Sequence, residues 1–167
     1  MSVILNKIDG KLINGKVTNS FGRLLVADEY ILVNDEVVND EEKIDLMQLL
    51  IPAGSQFDVV SCKTYANIYK ENDYYGKKTI VVFRTLDDVM TCLGLGVKFE
   101  QINCAGSYSS NKGSAVEYEK ALTLAKEDIE NLMTLHNQGV ELIYQPTFHD
   151  KVVSVSQLLG FKLKTSD

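Results

Sequence analysis

Short apolar runs alternate with helically spaced stripes along this chain. The first run, Val3-Ile4-Leu5 through Ile8, stops at the turn signal Asp9-Gly10. A helix is expected from Gly15, with Val17, Phe21, Leu24 and Leu25 on one face. A second run, Tyr30-Ile31-Leu32-Val33, ends at Asn34-Asp35. Ile44, Met47 and Ile51 then mark a helix over 40–50, which Pro52 and Gly54 end. Phe57 to Val60 and the unbroken Thr79-Ile80-Val81-Val82-Phe83 read as further strands, the latter buried on both faces. Short helices follow each, over 64–69 and 86–95; Asp87 and Asp88 suit the first turn of the second. A fifth run covers Phe99 to Cys104, and a Gly/Ser/Asn-rich loop covers Ala105 to Ser114. The clearest helix spans 124–137, with Ala125, Ile129, Leu132 and Met133 on one face, Thr123 as N-cap candidate and Gly139 closing it. Val140 to Tyr144 is the last clear strand.

Strands and helices alternating at this spacing specify βαβ units: an α/β fold of three layers, α/β/α, with a mostly parallel central sheet. The 167 residues predict one domain over 1–167. Ligands of such sheets bind beyond the carboxyl ends of the strands, which directs attention to the loop after the first strand.

Composition narrows the function classes. A net charge of −6 argues against a general nucleic-acid binder. No run approaches the roughly eighteen apolar residues of a membrane span, and MSVILNKIDG lacks a basic, apolar leader, so a cytoplasmic location is expected. Cys62, Cys92 and Cys104 are too widely spaced for a zinc site and read as reduced, buried thiols. Asp9, Asp35 and Asp40 read as caps and turn residues rather than metal ligands. No metal or cofactor is implied.

The loop after the first strand, Asp9-Gly10-Lys11-Leu12-Ile13-Asn14-Gly15-Lys16-Val17, holds two glycines and two lysines before a helix start, a combination that favours an anion. Gly10 to Lys16 also fits seven positions of the nucleotide-binding pattern G-x-x-x-x-G-K. The magnesium-binding hydroxyl of the eighth position is missing, because Val17 stands there.

The same loop, taken from Lys7, resembles the first active loop of the mannose/fructose/sorbose-type IIB components of the bacterial sugar phosphotransferase system, which runs R-[IV]-D-x-R-L-I-H-G-Q-V. Ile31-Leu32-Val33-Asn34-Asp35-Glu36-Val37-Val38-Asn39-Asp40, Pro52-Ala53-Gly54, Gly96-Val97, and Ile102-Asn103 with Gly106 resemble later stretches of that family, in order along the chain. The resemblance implies a phosphocarrier that takes a phosphoryl group from a IIA phosphohistidine, holds it on its own histidine, and passes it to a sugar at the membrane IIC and IID components. Its site would comprise position 14 as acceptor, with Lys7, Asp9, Lys11, Gly15 and Lys16 about the phosphoryl group. Phe21, Arg23, Asn34 and Asp35 would lie toward the partners, and the reading leaves room for a homo-oligomer.

At the acceptor position this chain carries Asn14. A carboxamide nitrogen is delocalised into its carbonyl and is no phosphoryl nucleophile at neutral pH, whereas an imidazole is. Lys7 and Lys11 stand in place of arginines, keeping the charge but losing the bidentate fork. Neither remaining histidine replaces the lost one: His136 is expected to pack or cap at a helix end, and His149 to lie on the surface. The chain therefore reads as a IIB-like component unable to be phosphorylated at the usual site, a regulatory or interaction paralogue. The alternative is a nucleotide-binding protein using Gly10 to Lys16.

Overall fold

The computed structural model describes residues 2–71, 76–108 and 114–162. Among the described residues nine strands form: β1 (Ser2–Ile8), β2 (Glu29–Val33), β3 (Gln56–Val60), β4 (Lys78–Phe83), β5 (Gln101–Asn103), β6 (Val116–Glu119), β7 (Leu122–Leu124), β8 (Glu141–Tyr144) and β9 (Val153–Ser154). The α-helices are α1 (Glu41–Gln48), α2 (Cys62–Glu71), α3 (Leu86–Gly94), α4 (Lys126–Asn137) and α5 (Val155–Leu158). A seven-stranded sheet runs in the order β3-β2-β4-β1-β5-β8-β9. Its pairings are parallel except for β9, which lies antiparallel to β8.

The central strands are buried on both faces, as their apolar runs require. Ile31, Val33, Val81 and Phe83 point to one side, into a core with Tyr65 of α2, Val89 of α3 and Leu132 of α4. Tyr30, Leu32, Ile80 and Val82 point to the other, with Met47 of α1 and with Val17 and Phe21. This alternation with a period of two makes the sheet the middle layer of three.

Several local expectations change. The segment Lys16–Gly22 is a π-helix, not an α-helix. Its buried residues fall in pairs four apart, Val17-Thr18 and Phe21-Gly22, while Leu24, expected on the same face, is exposed. Gly22 is required there: a Cβ would lie 1.9 Å from the Tyr30 hydroxyl oxygen. Thr123 does not cap α4 because it is part of β7; the N-cap is Ala125, whose amide donates to the Asp128 carboxylate (2.8 Å). Met133 is exposed, and Leu132 and Leu135 carry the burial of that helix. Gly139, at φ +86°, ends α4 as expected. The run from Phe99 pairs as a strand only over Gln101–Asn103, and Phe99 packs edge-on against Phe83 (5.6 Å). Of the loop expected over 105–114, residues 109–113 lie outside the described ones. The β6–β7 hairpin that follows, antiparallel and separate from the main sheet, was not anticipated, nor were β9 and α5. The three cysteines are free and buried, and burial pushes the Cys92 thiol up to about 12.

Candidate functional site

The carboxyl ends of β4, β1, β5 and β8 are tied together by three short connections. The Asp9 amide donates to Phe83 O (2.8 Å) and the Gly10 amide to Gly106 O (2.9 Å). Asn103 donates to Gln145 O (2.8 Å), while its oxygen accepts from the amides of Ala105 and Gln145. Gly106 has φ +104°, and a Cβ there would lie 2.8 Å from Ile8 O, so only glycine allows this approach. Above these ends opens a cleft of about 280 Å³ lined by Lys7, Asp9, Lys11, Asn14, Gly15, Lys16, Ala105, Gly106, Tyr108, Ala121 and Pro146.

Every residue named as phosphoryl-binding from the sequence lines this cleft, and so does Asn14. Their roles differ. Lys7 is only 1% exposed. Its ammonium donates to Asp9 Oδ2 (2.7 Å) and Ala105 O (2.6 Å). Burial lowers its pKa, and the Asp9 carboxylate opposes that shift. The Lys7–Asp9 pair sums to zero charge, so the positive character of the cleft comes from the exposed Lys11 and Lys16. The Lys11 ammonium also sits over the Tyr108 ring, 5.9 Å from its centroid.

Asp9 is the hub of the loop. Its Oδ1 accepts the Lys11 amide (2.9 Å), and its Oδ2 accepts Lys7 and the Asn14 carboxamide (3.0 Å). The Asn14 nitrogen also donates to Leu12 O (2.9 Å), while its oxygen accepts the Lys16 amide (3.0 Å). Both N–H bonds of Asn14 and its carbonyl are thus engaged within the loop. Leu12 holds the intervening turn at φ +64°, a strained value for a branched side chain that this network maintains.

The loop does not have the form a nucleotide phosphate needs. The amides of Gly10, Lys11, Leu12 and Lys16 already have acceptors within the protein, Val17 is fully buried, and the helix beyond is π. A phosphate cradle requires such amides free. The nucleotide-binding alternative is therefore not favoured.

The four residues expected at a partner surface divide. Phe21 is 1% exposed and cannot contact a partner; it packs edge-on under Phe148 (6.4 Å), which is partly exposed. Asn34 is 7% exposed and is likewise internal: it donates to both oxygens of Asp88 (3.0 and 3.3 Å) and accepts the amides of Glu36 and Val37. Asp35 is exposed, but one oxygen accepts the Cys62 amide (2.8 Å) at the start of α2. Arg23 is exposed and does not line the cleft. Asp40 caps α1 by accepting the Lys43 amide (3.1 Å). Asp9, Asp35 and Asp40 thus all have amide partners, as caps and turn residues do. Among the described residues no group of His, Cys, Asp and Glu forms a metal cluster.

Tyr108 was missed as a site residue. It separates the basic cleft from a second, of about 590 Å³, lined by Asn34, Asp35, Glu36, Arg84, Asp87 and Asp88. Gly10 makes room for its ring, since a Cβ at Gly10 would lie 2.8 Å from Tyr108 Cδ2. The signal available was a lone aromatic at the edge of a polar loop. His149 is exposed, as expected. His136 stands in the last turn of α4, bonded through both ring nitrogens.

Comparison with known proteins resolves what this arrangement belongs to. The family model for the PTS system sorbose subfamily IIB component matches residues 3–167. The chain belongs to that family. The sorbose-specific EIIB component of Klebsiella pneumoniae is 28% identical over 155 residues, 93% of each chain. The fructose-specific EIIB component of Bacillus subtilis is 25% identical over 142 residues, 85% of this chain and 86% of that one. The mannose-specific EIIAB component of Escherichia coli is 25% identical over 160 residues, 96% of this chain but 49% of that longer protein. The crystal structure of the IIBSor domain of the Klebsiella pneumoniae sorbose permease superposes with a TM-score of 0.87 at 27% identity, covering 99% of this chain and 100% of that one. This IIB chain is thus a component of a sugar phosphotransferase system of the mannose/sorbose type. Among its described residues no helix is long and apolar enough to cross a membrane.

Proposed function

We propose that this IIB chain docks where a phosphocarrier docks but does not carry the phosphoryl group, acting as a single-domain cytoplasmic regulatory or interaction paralogue. The observation that carries the reading is the state of Asn14. By the resemblance of the loop it stands where the family has its histidine; it lines the basic cleft, and has its nitrogen bound to Asp9 and Leu12 O and its oxygen to the Lys16 amide. An amide nitrogen has no lone pair to offer phosphorus, and here its hydrogens are also occupied. The charge of a phosphoryl site persists: Lys11 and Lys16 supply exposed positive charge in the cleft.

On this reading the partners are a phosphorylated IIA domain or the IIC and IID membrane components. Lys11 and Lys16 would meet the phosphoryl group presented by IIA, and charge complementarity would set affinity without any transfer. The test is titration of the chain with IIA in its phosphorylated and unphosphorylated forms. The phosphorylated form should bind more tightly, and Lys11→Glu with Lys16→Glu should reduce that affinity about tenfold or more. Equal affinity for the two forms, or no effect of the double variant, would contradict it.

A further inference from the structure

Away from the basic cleft, α5 places Ser156 against the end of α4. The Ser156 hydroxyl lies 2.9 Å from Nδ1 of His136, and Nε2 of His136 lies 2.8 Å from Lys162 O. A carbonyl can only accept, so in the neutral imidazole Nε2 carries the ring proton. Nδ1 is left with its lone pair facing Ser156, and the hydroxyl is the donor. This is the relation of an activated nucleophile: a hydroxyl on a base whose tautomer is fixed by a third group. His136 sits in the last turn of the twelve-residue α4. The Phe161 ring, 5.5 Å away, flanks the imidazole.

Ser156 is 9% exposed and opens onto a cleft of about 500 Å³. Val140, Leu142, Ile143 and Val152 give that cleft an apolar wall, and Glu141 adds a negative charge. Lysine and arginine are absent from its described lining. Such a cleft disfavours a phosphoryl dianion and suits a short acyl chain.

We infer that Ser156 and His136 form a nucleophilic dyad that accepts a small acyl group from an activated ester or thioester. The Ser156 proton passes to His136 Nδ1 as Oγ bonds to the acyl carbon. The carbonyl π electrons move to its oxygen, then return as the bond to the alcohol or thiol breaks. The leaving group takes the proton from Nδ1, and Ser156 is left O-acylated. Water attacking by the same route regenerates the hydroxyl.

The full chain is to be incubated with 4-nitrophenyl acetate, following nitrophenolate release and locating the acetyl group by peptide mass spectrometry. Acetylation of Ser156 is expected. Ser156→Ala should abolish it and His136→Gln should slow it about 100-fold or more, while His149→Gln leaves it unchanged. Circular dichroism establishes that the variants are folded. The wild-type result stands without them: acetyl groups on lysines only, or none, would overturn the dyad. So would labelling of Ser156 that a folded His136→Gln variant leaves undiminished.

Discussion

Two asparagines, Asn14 after β1 and Asn34 after β2, make nearly the same bonds in different surroundings. Each donates its nitrogen to an aspartate, Asn14 to Asp9 and Asn34 to Asp88, and each accepts the amide two residues ahead, that of Lys16 or Glu36. The surroundings differ in charge and depth. Asp9 is matched by the Lys7 ammonium at 2.7 Å. Asp88 is met by neutral donors, from Asn34, Thr85 and the Cys62 thiol, and burial raises its pKa against their pull. Asn34 is buried, whereas Asn14 is half-exposed on a basic cleft. The comparison teaches that asparagine suffices to hold such a strand-end loop. On the proposed reading, a histidine at position 14 would serve chemistry and not the shape of the loop.

The largest expected effect breaks the charge difference. Lys7→Met leaves Asp9 buried without its cation and should cost about 3–5 kcal/mol, read by chemical denaturation. Next comes the difference in depth. Asn34→Ala removes one donor from the buried Asp88 and the acceptor of the buried Val37 amide and should cost about 2 kcal/mol, against about 1 kcal/mol for Asn14→Ala, where water can replace the lost bonds. Equal costs would mean that the loops are not distinguished by burial.

The smallest effect tests a buried carboxylate that has one cation at the edge of ion-pair distance and no hydrogen bond. Both oxygens of Glu29 are buried without a hydrogen bond, and Lys77 approaches only to 3.7 Å. Burial raises the Glu29 pKa above 4.5, with Lys77 opposing. The folded state then binds this proton more tightly than the unfolded chain. Its contribution to stability is present at low pH and is lost as pH rises through the interval from 4.5 to the raised value. Glu29→Gln should flatten stability across that interval and leave the protein at pH 7 about 1 kcal/mol more stable. Thermal melts as a function of pH read both.

The sheet was legible in the sequence because β2 and β4 are covered on both faces, and two-sided burial writes an unbroken apolar run. The β6–β7 hairpin and β9 were not legible. They are short, lie outside the βαβ rhythm, and in β6 are mostly exposed, so no apolar pattern announces them. The π-helix was read as α because a spacing of four between Val17 and Phe21 fits either. In the site, the residues named within Lys7–Lys16 converge because one loop carries them. Phe21 and Asn34 failed as surface residues because a motif position does not reveal depth: the first fills a core and the second ties a loop.

Whether Asn14 can take a phosphoryl group is decided by phosphoryl transfer itself. The chain and its Asn14→His variant are to be incubated with a phosphorylated IIA domain and the upstream donors, and acid-labile phosphate counted on each. The account predicts none on the native chain and a measurable amount on the variant, whose imidazole can bond Asp9 as the carboxamide does. Stoichiometric acid-labile phosphate on the native chain, at His136, His149 or any other residue, would contradict it.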